Sequence, residues 1–334
     1  MRVALAPDKF KGSATATEIT DALGAALSAA GHEPIAIPMA DGGDGTLEAL
    51  GGANRTTTVT GPAGRPVDAA WRLSRGVAVI EMALASGLVI AGGPEENDPL
   101  TATTAGTGEL IATAIARGAK RVIVGLGGSA TTDGGLGAVE AIGSPARLGS
   151  AKVEVATDVT TRFVDAARVF GPQKGASPAH VAFLEARLRG VAERYRDDFG
   201  VDVESVTGGG AAGGLGGGLF ALGAQIVSGF DLIADELSLF EEIAAAEVVV
   251  TGEGRLDRES FAGKVVGGVA EMAFETDTRL VIVAGQVADD LAGGLTEFCP
   301  ADTVVLSLTD IFGLDAALAD PAARAAEAVM TTLG

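Results

Sequence analysis

The sequence predicts an α/β protein of two domains with mostly parallel sheets. Three observations predict it. Short runs rich in Val, Ile and Ala recur along the chain, and each closes in Gly, Asp or Pro. An Ala/Leu-rich stretch with helical spacing follows most of them, the alternation expected of strands joined by helical crossovers. The 334 residues correspond to roughly two domains at ~150 residues each.

The strands expected from these runs are residues 3–6, 34–39, 77–82, 121–125, 153–156, 247–251, 280–284 and 303–308. Residues 56–60 form a weaker, antiparallel candidate. Helices are expected over 14–30, with Ser13 as cap and Glu18 in the early turns, and over 108–117, 178–199, 214–225 and 264–275. No repeat or low-complexity linker divides the chain. The first two strands and the last three share one pattern: strand, acidic Gly loop, amphipathic helix. That pattern predicts a discontinuous, Rossmann-like core domain from residues 1–57 plus 243–334. Residues 58–242 then form a second α/β domain inserted into it.

Composition excludes several function classes. Lys and Arg number 24 against 44 Asp and Glu, a net charge of −20, which opposes general binding to nucleic-acid phosphates. With 47% hydrophobic and 20% charged residues, the chain has apolar surface enough to fold. The single cysteine, Cys299, and two isolated histidines, His32 and His180, give no basis for disulfides, a Cys/His zinc site or a His-dependent triad. Asp8 and Lys9 interrupt the first apolar run, so a secretory signal is not expected and a cytoplasmic location is. Residues 205–230 are uncharged and long enough to span a bilayer, but their glycines make a poor isolated helix. No membrane partner is expected.

In open parallel sheets, ligands gather beyond the carboxyl ends of the strands. Here those places hold polar, glycine-rich loops at 7–13, 40–46, 125–135 and 251–257. Asp8, Asp41, Asp44, Asp133, Asp158, Glu253 and Asp257 lie at or just past expected strand ends. An Asp in a Gly loop is often only a turn former. Oxygen groups at strand ends also suit Mg²⁺ or the proton of a substrate hydroxyl. Of six lysines, four (Lys9, Lys11, Lys174 and Lys264) sit in or beside Gly- or Pro-containing loops, where each can hold a phosphate or carboxylate. Backbone N–H groups of Gly127, Gly128 and Ser129 can add donors to the same anion.

Glycine motifs alone decide little among 49 glycines. Gly-x-Gly-x-x-Gly occurs at Gly208, Gly210 and Gly213, and a variant ends in Ala at Gly125, Gly127 and Ala130. The variant continues as loop rather than helix, which argues against a dinucleotide site. A P-loop is absent, since Gly263-Lys264 is followed by Val265, and protein-kinase signatures are missing. Cations and carboxylates without a His or Cys nucleophile point to phosphoryl transfer from a metal nucleotide on another scaffold.

Specific blocks carry a resemblance. Ala-Pro-Asp-Lys-Phe-Lys-Gly-Ser at 6–13 and Ala-Asp-Gly-Gly-Asp-Gly-Thr at 40–46 resemble the type I glycerate kinase family. So do Thr-Gly-Pro at 60–62, Ile-Glu-Met-Ala at 80–83, Gly-Thr-Gly-Glu-Leu at 106–110 and Gly-Gly-Ser-Ala-Thr-Thr-Asp-Gly-Gly at 127–135. Phe-Gly-Pro-Gln-Lys-Gly-Ala at 170–176, Gly-Ala-Ala-Gly-Gly-Leu-Gly at 210–216 and Val-Thr-Gly-Glu-Gly-Arg-Leu-Asp at 250–257 continue it in the family's order.

The resemblance implies an ATP-dependent, Mg²⁺-requiring kinase that phosphorylates D-glycerate, 2-phosphoglycerate being the favoured product, in a cleft of a two-domain α/β fold. Lys9 and Lys11 are then expected to hold the substrate carboxylate or the transferring phosphoryl group. Asp8, Asp41 and Asp44 would supply the base or metal contact, with Glu253, Arg255 and Asp257 completing the catalytic set. Gly127, Gly128, Ser129, Thr131, Asp133 and Lys174 would hold the nucleotide, and Asp44 and Asp158 the metal. D-glycerate and ATP are the expected partners, and a homodimer is the one protein assembly considered. Two departures stand out: the segment at 143–152 is shorter than the family's, and Thr157-Asp158-Val-Thr-Thr161-Arg162 replaces its Cys-Asp-Val-Thr-Asn-Pro. The second puts the role of Asp158 in doubt. The alternatives are a dinucleotide-dependent oxidoreductase using residues 125–130 and a non-catalytic sugar-acid-binding protein.

Overall fold

The computed structural model describes residues 1–291 and 299–334. The strands are β1 (Arg2–Leu5), β2 (Glu33–Ala36), β3 (Arg55–Thr60), β4 (Pro66–Ser74), β5 (Val77–Glu81), β6 (Arg121–Gly125), β7 (Lys152–Ala156), β8 (Gln225–Val227), β9 (Val248–Leu256), β10 (Arg279–Val287) and β11 (Val304–Ser307). They form two sheets, and the chain divides into two compact units, each with one sheet. The fold is α/β. The first unit comprises Met1–Asp41, Glu48–Leu50 and Phe230–Gly334; the second comprises Gly42–Leu47 and Gly51–Gly229.

The first unit's sheet has the order β11-β10-β9-β1-β2 and is parallel throughout. Its core packs Val3, Leu5, Val248, Val250, Val281 and Val283 against Ile19, Leu23 and Leu27 of helix Ala16–Ala29 and Ala325 and Val329 of helix Pro321–Leu333. Val on the central strands matches a sheet covered on both faces. Helix Ala16–Ala29 starts two residues later than expected. Its cap is Thr15, which exchanges hydrogen bonds with Glu18 in a capping box, while Ser13 turns back and donates to the Phe10 carbonyl. The C-terminal helix, absent from the expected set, opens on Asp320 as cap and Pro321 in its first turn.

The second unit's sheet has the order β3-β4-β5-β6-β7-β8, with β3, β4 and β5 antiparallel and the remainder parallel. Trp71 on β4 is fully buried, and its indole N–H donates to the Thr57 hydroxyl at 2.9 Å. Helix Ala105–Ala116 is tied to β3 by Glu109, which accepts from the Thr60 N–H and hydroxyl at 2.8 and 2.7 Å.

The unit boundaries fall at 41/42 and 229/230, with a short return at 48–50, rather than at 57/58 and 242/243. Strand β3 belongs with β4, so residues from 51 onward join the second unit. Helix Leu239–Ala244 belongs with the first, where the Thr278 hydroxyl donates to the Ile243 carbonyl. Strand β9 runs to Leu256 instead of ending at Thr251, because β10 is equally long and pairs with it through Leu256. The expected helix 214–225 lies at Ala211–Ala221, and Gln225 enters β8. In the shortened segment a single turn, Pro145–Leu148, leads to β7. Among the described residues no helix is long and apolar enough to cross a membrane.

Candidate active site

In the first unit, β1 carries the chemistry past its last paired residue and β9 carries it in its outer half, where it still pairs with β10. Ala6 and Asp8 donate their N–H groups to Val250 and Gly252, each at 2.8 Å. This places Asp8 beside the stretch of β9 that holds Glu253. The Asp8 carboxylate accepts from the Lys9 N–H at 2.7 Å, and the Lys9 ammonium lies 3.5 Å from Asp8 and 3.6 Å from Asp41. Burial pushes the Asp8 carboxyl up to about 6, with Lys9 pulling it down and Asp41 pushing it further up. Burial likewise raises Glu253 to about 7, with Ser260 opposing and Asp8 reinforcing the rise. Glu253 Oε1 is buried and has no hydrogen-bond partner among the described residues. Such an orphaned carboxylate oxygen is costly to keep ionised unless a proton, cation or donor reaches it.

The other expected members of this set lie differently. Lys11 and Arg255 are exposed, and Arg255 projects from a strand instead of a loop. Asp257 accepts from the N–H groups of Glu259 and Ser260 at 2.9 and 3.2 Å, capping the short turn Arg258–Phe261. Its carboxylate holds the backbone in place.

In the second unit, the loop after β6 contains five of the six expected nucleotide contacts and the turn Pro172–Lys174 the sixth, and the structure separates them into two groups. Gly127, Gly128 and Ser129 are partly or fully exposed, and among the described residues their N–H groups donate to no protein acceptor. Gly128 has φ 65°, and a Cβ there would lie 2.5 Å from Asp44 Oδ1. At Gly127 a Cβ would meet the backbone of Gly43 at 2.5 Å. Both positions need glycine to let residues 43–44 approach. Thr131, Asp133 and Lys174 support the loop from within. Thr131 is fully buried. Asp133 accepts from the Thr104 N–H and hydroxyl and from the N–H groups of Gly135 and Gly137, at 2.8 to 3.2 Å. Lys174, 2% exposed, donates to the Ser129 hydroxyl and the Thr131 carbonyl, each at 2.7 Å. The helix after this loop begins only at Leu136, whereas a dinucleotide loop opens directly into its helix.

Glu81, outside the expected site residues, anchors the Asp44 loop. It is 7% exposed and accepts from the N–H groups of Gly45 and Leu47 at 3.2 and 3.1 Å. The signal for it was a lone carboxylate ending a buried apolar strand. Glu81→Ala leaves those donors unpaired, and we expect a stability loss of about 1–3 kcal/mol, read as a lower urea midpoint. An unchanged midpoint would contradict the anchoring role.

Asp44 is exposed and accepts no hydrogen bond among the described residues. A lone hard carboxylate beside open N–H donors fits Mg²⁺ that completes its shell with phosphate and water. Asp158 Oδ1 instead accepts from the Gly229 N–H at 2.8 Å. No group of three or more His, Cys, Asp or Glu residues suited to a metal occurs among the described residues.

Comparison with known proteins finds relatives over the length of the chain. The chain is 39% identical over 376 residues to Glycerate 2-kinase of Escherichia coli (strain K12), covering 100% of this chain and 98% of that one. It is 37% identical to a Glycerate kinase of Haemophilus influenzae, over 87% of each chain. A crystal structure from Salmonella typhimurium LT2, of a protein provisionally named glycerate kinase 2, superposes with a TM-score of 0.81 at 35% identity, covering 99% of this chain and 98% of that one. The family described as "Glycerate kinase family" matches residues 3–147 and 143–333, the two segments meeting where the chain is shortened. This chain belongs to the glycerate kinase family.

Proposed function

We propose that this protein catalyses ATP-dependent phosphorylation of D-glycerate, with 2-phosphoglycerate as product, in the cytoplasm where ATP is held. The full-length likeness to a Glycerate 2-kinase carries this reading. The first unit supplies the groups for the acceptor. Lys9 meets the glycerate carboxylate, and Glu253, with its unpartnered buried oxygen, takes the hydroxyl proton while Asp8 tunes its charge. A base whose proton affinity lies near neutral pH is suited to this task. The second unit supplies the groups for the nucleotide. The N–H groups of Gly127, Gly128 and Ser129 and the Ser129 hydroxyl receive phosphate oxygens, fixed in advance by the buried support behind them. Asp44 would hold Mg²⁺, which when bound supplies charge neutralisation on the phosphates. Lys11 and Arg255, both exposed cations, meet the incoming anions first. Asp158, Thr131, Asp133 and Asp257 serve the scaffold.

D-glycerate-dependent ADP release in a coupled assay tests the activity, and NMR of the product tests which hydroxyl carries the phosphate. No ADP release with D-glycerate would reject the proposal. Asp44→Asn is expected to raise the Mg²⁺ concentration needed for half-maximal rate about tenfold or more, since it removes a charged ligand. An unchanged Mg²⁺ requirement would remove Asp44 from that role.

A further inference from the structure

The second unit contains a buried lysine amine with no carboxylate at ion-pair distance among the described residues. Lys174 sits on the single turn Pro172–Lys174, which follows helix Ala166–Phe170. Its Nζ lies 6.0 Å from the Phe170 ring centroid and, among the described residues, makes hydrogen bonds only to two neutral oxygens, the Ser129 hydroxyl and the Thr131 carbonyl. The charged group that acts on it is Asp133, and the charged side chains of the adjoining segments include Glu95, Glu96 and Arg168. Asp133 spends its carboxylate on four N–H and O–H donors. Arg168 pairs with Asp165 and Glu185, and Glu95 and Glu96 are exposed. None lies within ion-pair distance of Nζ among the described residues. A charge in such surroundings normally has a partner.

The hydrogen bonds also orient Ser129. Because its oxygen accepts from Lys174, its own hydrogen is left for another acceptor, in the same loop as the open N–H groups of Gly127, Gly128 and Ser129. We infer that Lys174 is a positioning residue that turns the Ser129 hydroxyl toward the nucleotide phosphate, which is its counter-ion. The inference rests on the reading that this loop receives the nucleotide. Desolvation holds the Lys174 ammonium down to about 7, with Asp133 raising it, so at pH 8 the free protein keeps this amine largely neutral. An arriving anion favours the charged form, and the amine takes a proton from solvent.

Calorimetric titration with MgADP, and separately with D-glycerate, at pH 8 in two buffers of unlike ionisation enthalpy tests this. Wild type should take up about one proton more than Lys174→Met on binding MgADP, with no such difference for D-glycerate. Lys174→Met should also raise the KM for ATP about tenfold or more and leave the KM for D-glycerate within about threefold. Lys174→Arg, always charged, should recover ATP affinity without the extra proton. Equal proton uptake by wild type and Lys174→Met, or an equal rise in both KM values, would overturn the inference. If neither variant folds, wild type still decides, since no uptake with MgADP at pH 8 overturns it. Absence of glycerate-dependent ADP release would strike the kinase reading, whereas equal uptake in an active enzyme strikes this inference alone.

Discussion

Replacing Glu253 by Gln is expected to lower kcat by about 10²–10⁴-fold and, at pH 8, to make the protein harder to melt. Both effects follow from one carboxyl group. In the folded chain it is pushed up to about 7 by burial, from the ordinary 4.5 of a free glutamate, so the native state holds its proton more tightly than the unfolded state. Its contribution to stability is therefore complete below about pH 4.5 and is lost as pH rises through 7. Above that, the folded protein carries a poorly solvated charge with one orphaned oxygen. A neutral amide of the same shape removes the charge, worth on the order of 2 kcal/mol and a few degrees of melting temperature at pH 8; at pH 4 the gain disappears. Asp8, raised to about 6 by the same cause, adds a second, earlier component. Turnover in the wild type should rise with pH through the same interval, as the base ionises. A Gln variant with unaltered kcat would show that Glu253 is not the base, and one that melts earlier at pH 8 would show that its charge is not strained.

Gly213→Ala should destabilise the second unit by about 3–5 kcal/mol and abolish saturation by ATP. Ala212, Gly213 and Gly214 have φ of 52°, 68° and 95°, a left-handed turn inside the helix Ala211–Ala221. At Gly213 a Cβ would stand 1.9 Å from the Thr131 carbonyl oxygen, the same oxygen that accepts from Lys174. The clash is with backbone, so no rotamer relieves it, and the chain must open at the support of the 127–131 loop. Gly223→Ala is the control. It also has positive φ, at 100°, but no atom within 4 Å of its Cβ, so only conformational strain remains, about 1 kcal/mol. Urea unfolding of the two variants separates clash from strain, and equal midpoints would refute the argument.

Much of the fold is readable in residue types where local chemistry and packing agree. Helix Pro178–Phe199 matches its expected span because Ser177 caps it, Pro178 begins it and Gly200 stops it in a left-handed conformation. Strand β6 matches too, its Val and Ile run closed by Gly125. Strand β4 went unrecognised although Val67, Ala69, Trp71 and Leu73 alternate along it; two of these four, Val67 and Leu73, are only partly buried, and Arg, Asp and Ala dilute the run. The outer half of β9 reads as a loop because Gly252, Glu253, Gly254 and Arg255 have weak strand preference, and only pairing with β10 keeps them extended. The site behaves alike. Residue type marks Asp133 and Lys174 as chemical, but type cannot tell a group that meets a ligand from one that holds the loop from behind. That distinction depends on burial by helices distant in sequence.

Strand β1 lies inside its sheet between β2 and β9, pairing Val3 with Val248 and Ala4 with Val249. Its second neighbour is thus made some 245 residues after it, as the Ala6–Thr251 hydrogen bond also spans. During synthesis the N-terminal strand must wait, with one edge bare, while the polypeptide of the second unit emerges and closes. The first unit is therefore the last to be finished, and a permuted chain beginning near residue 230 would bring its five strands together without that delay.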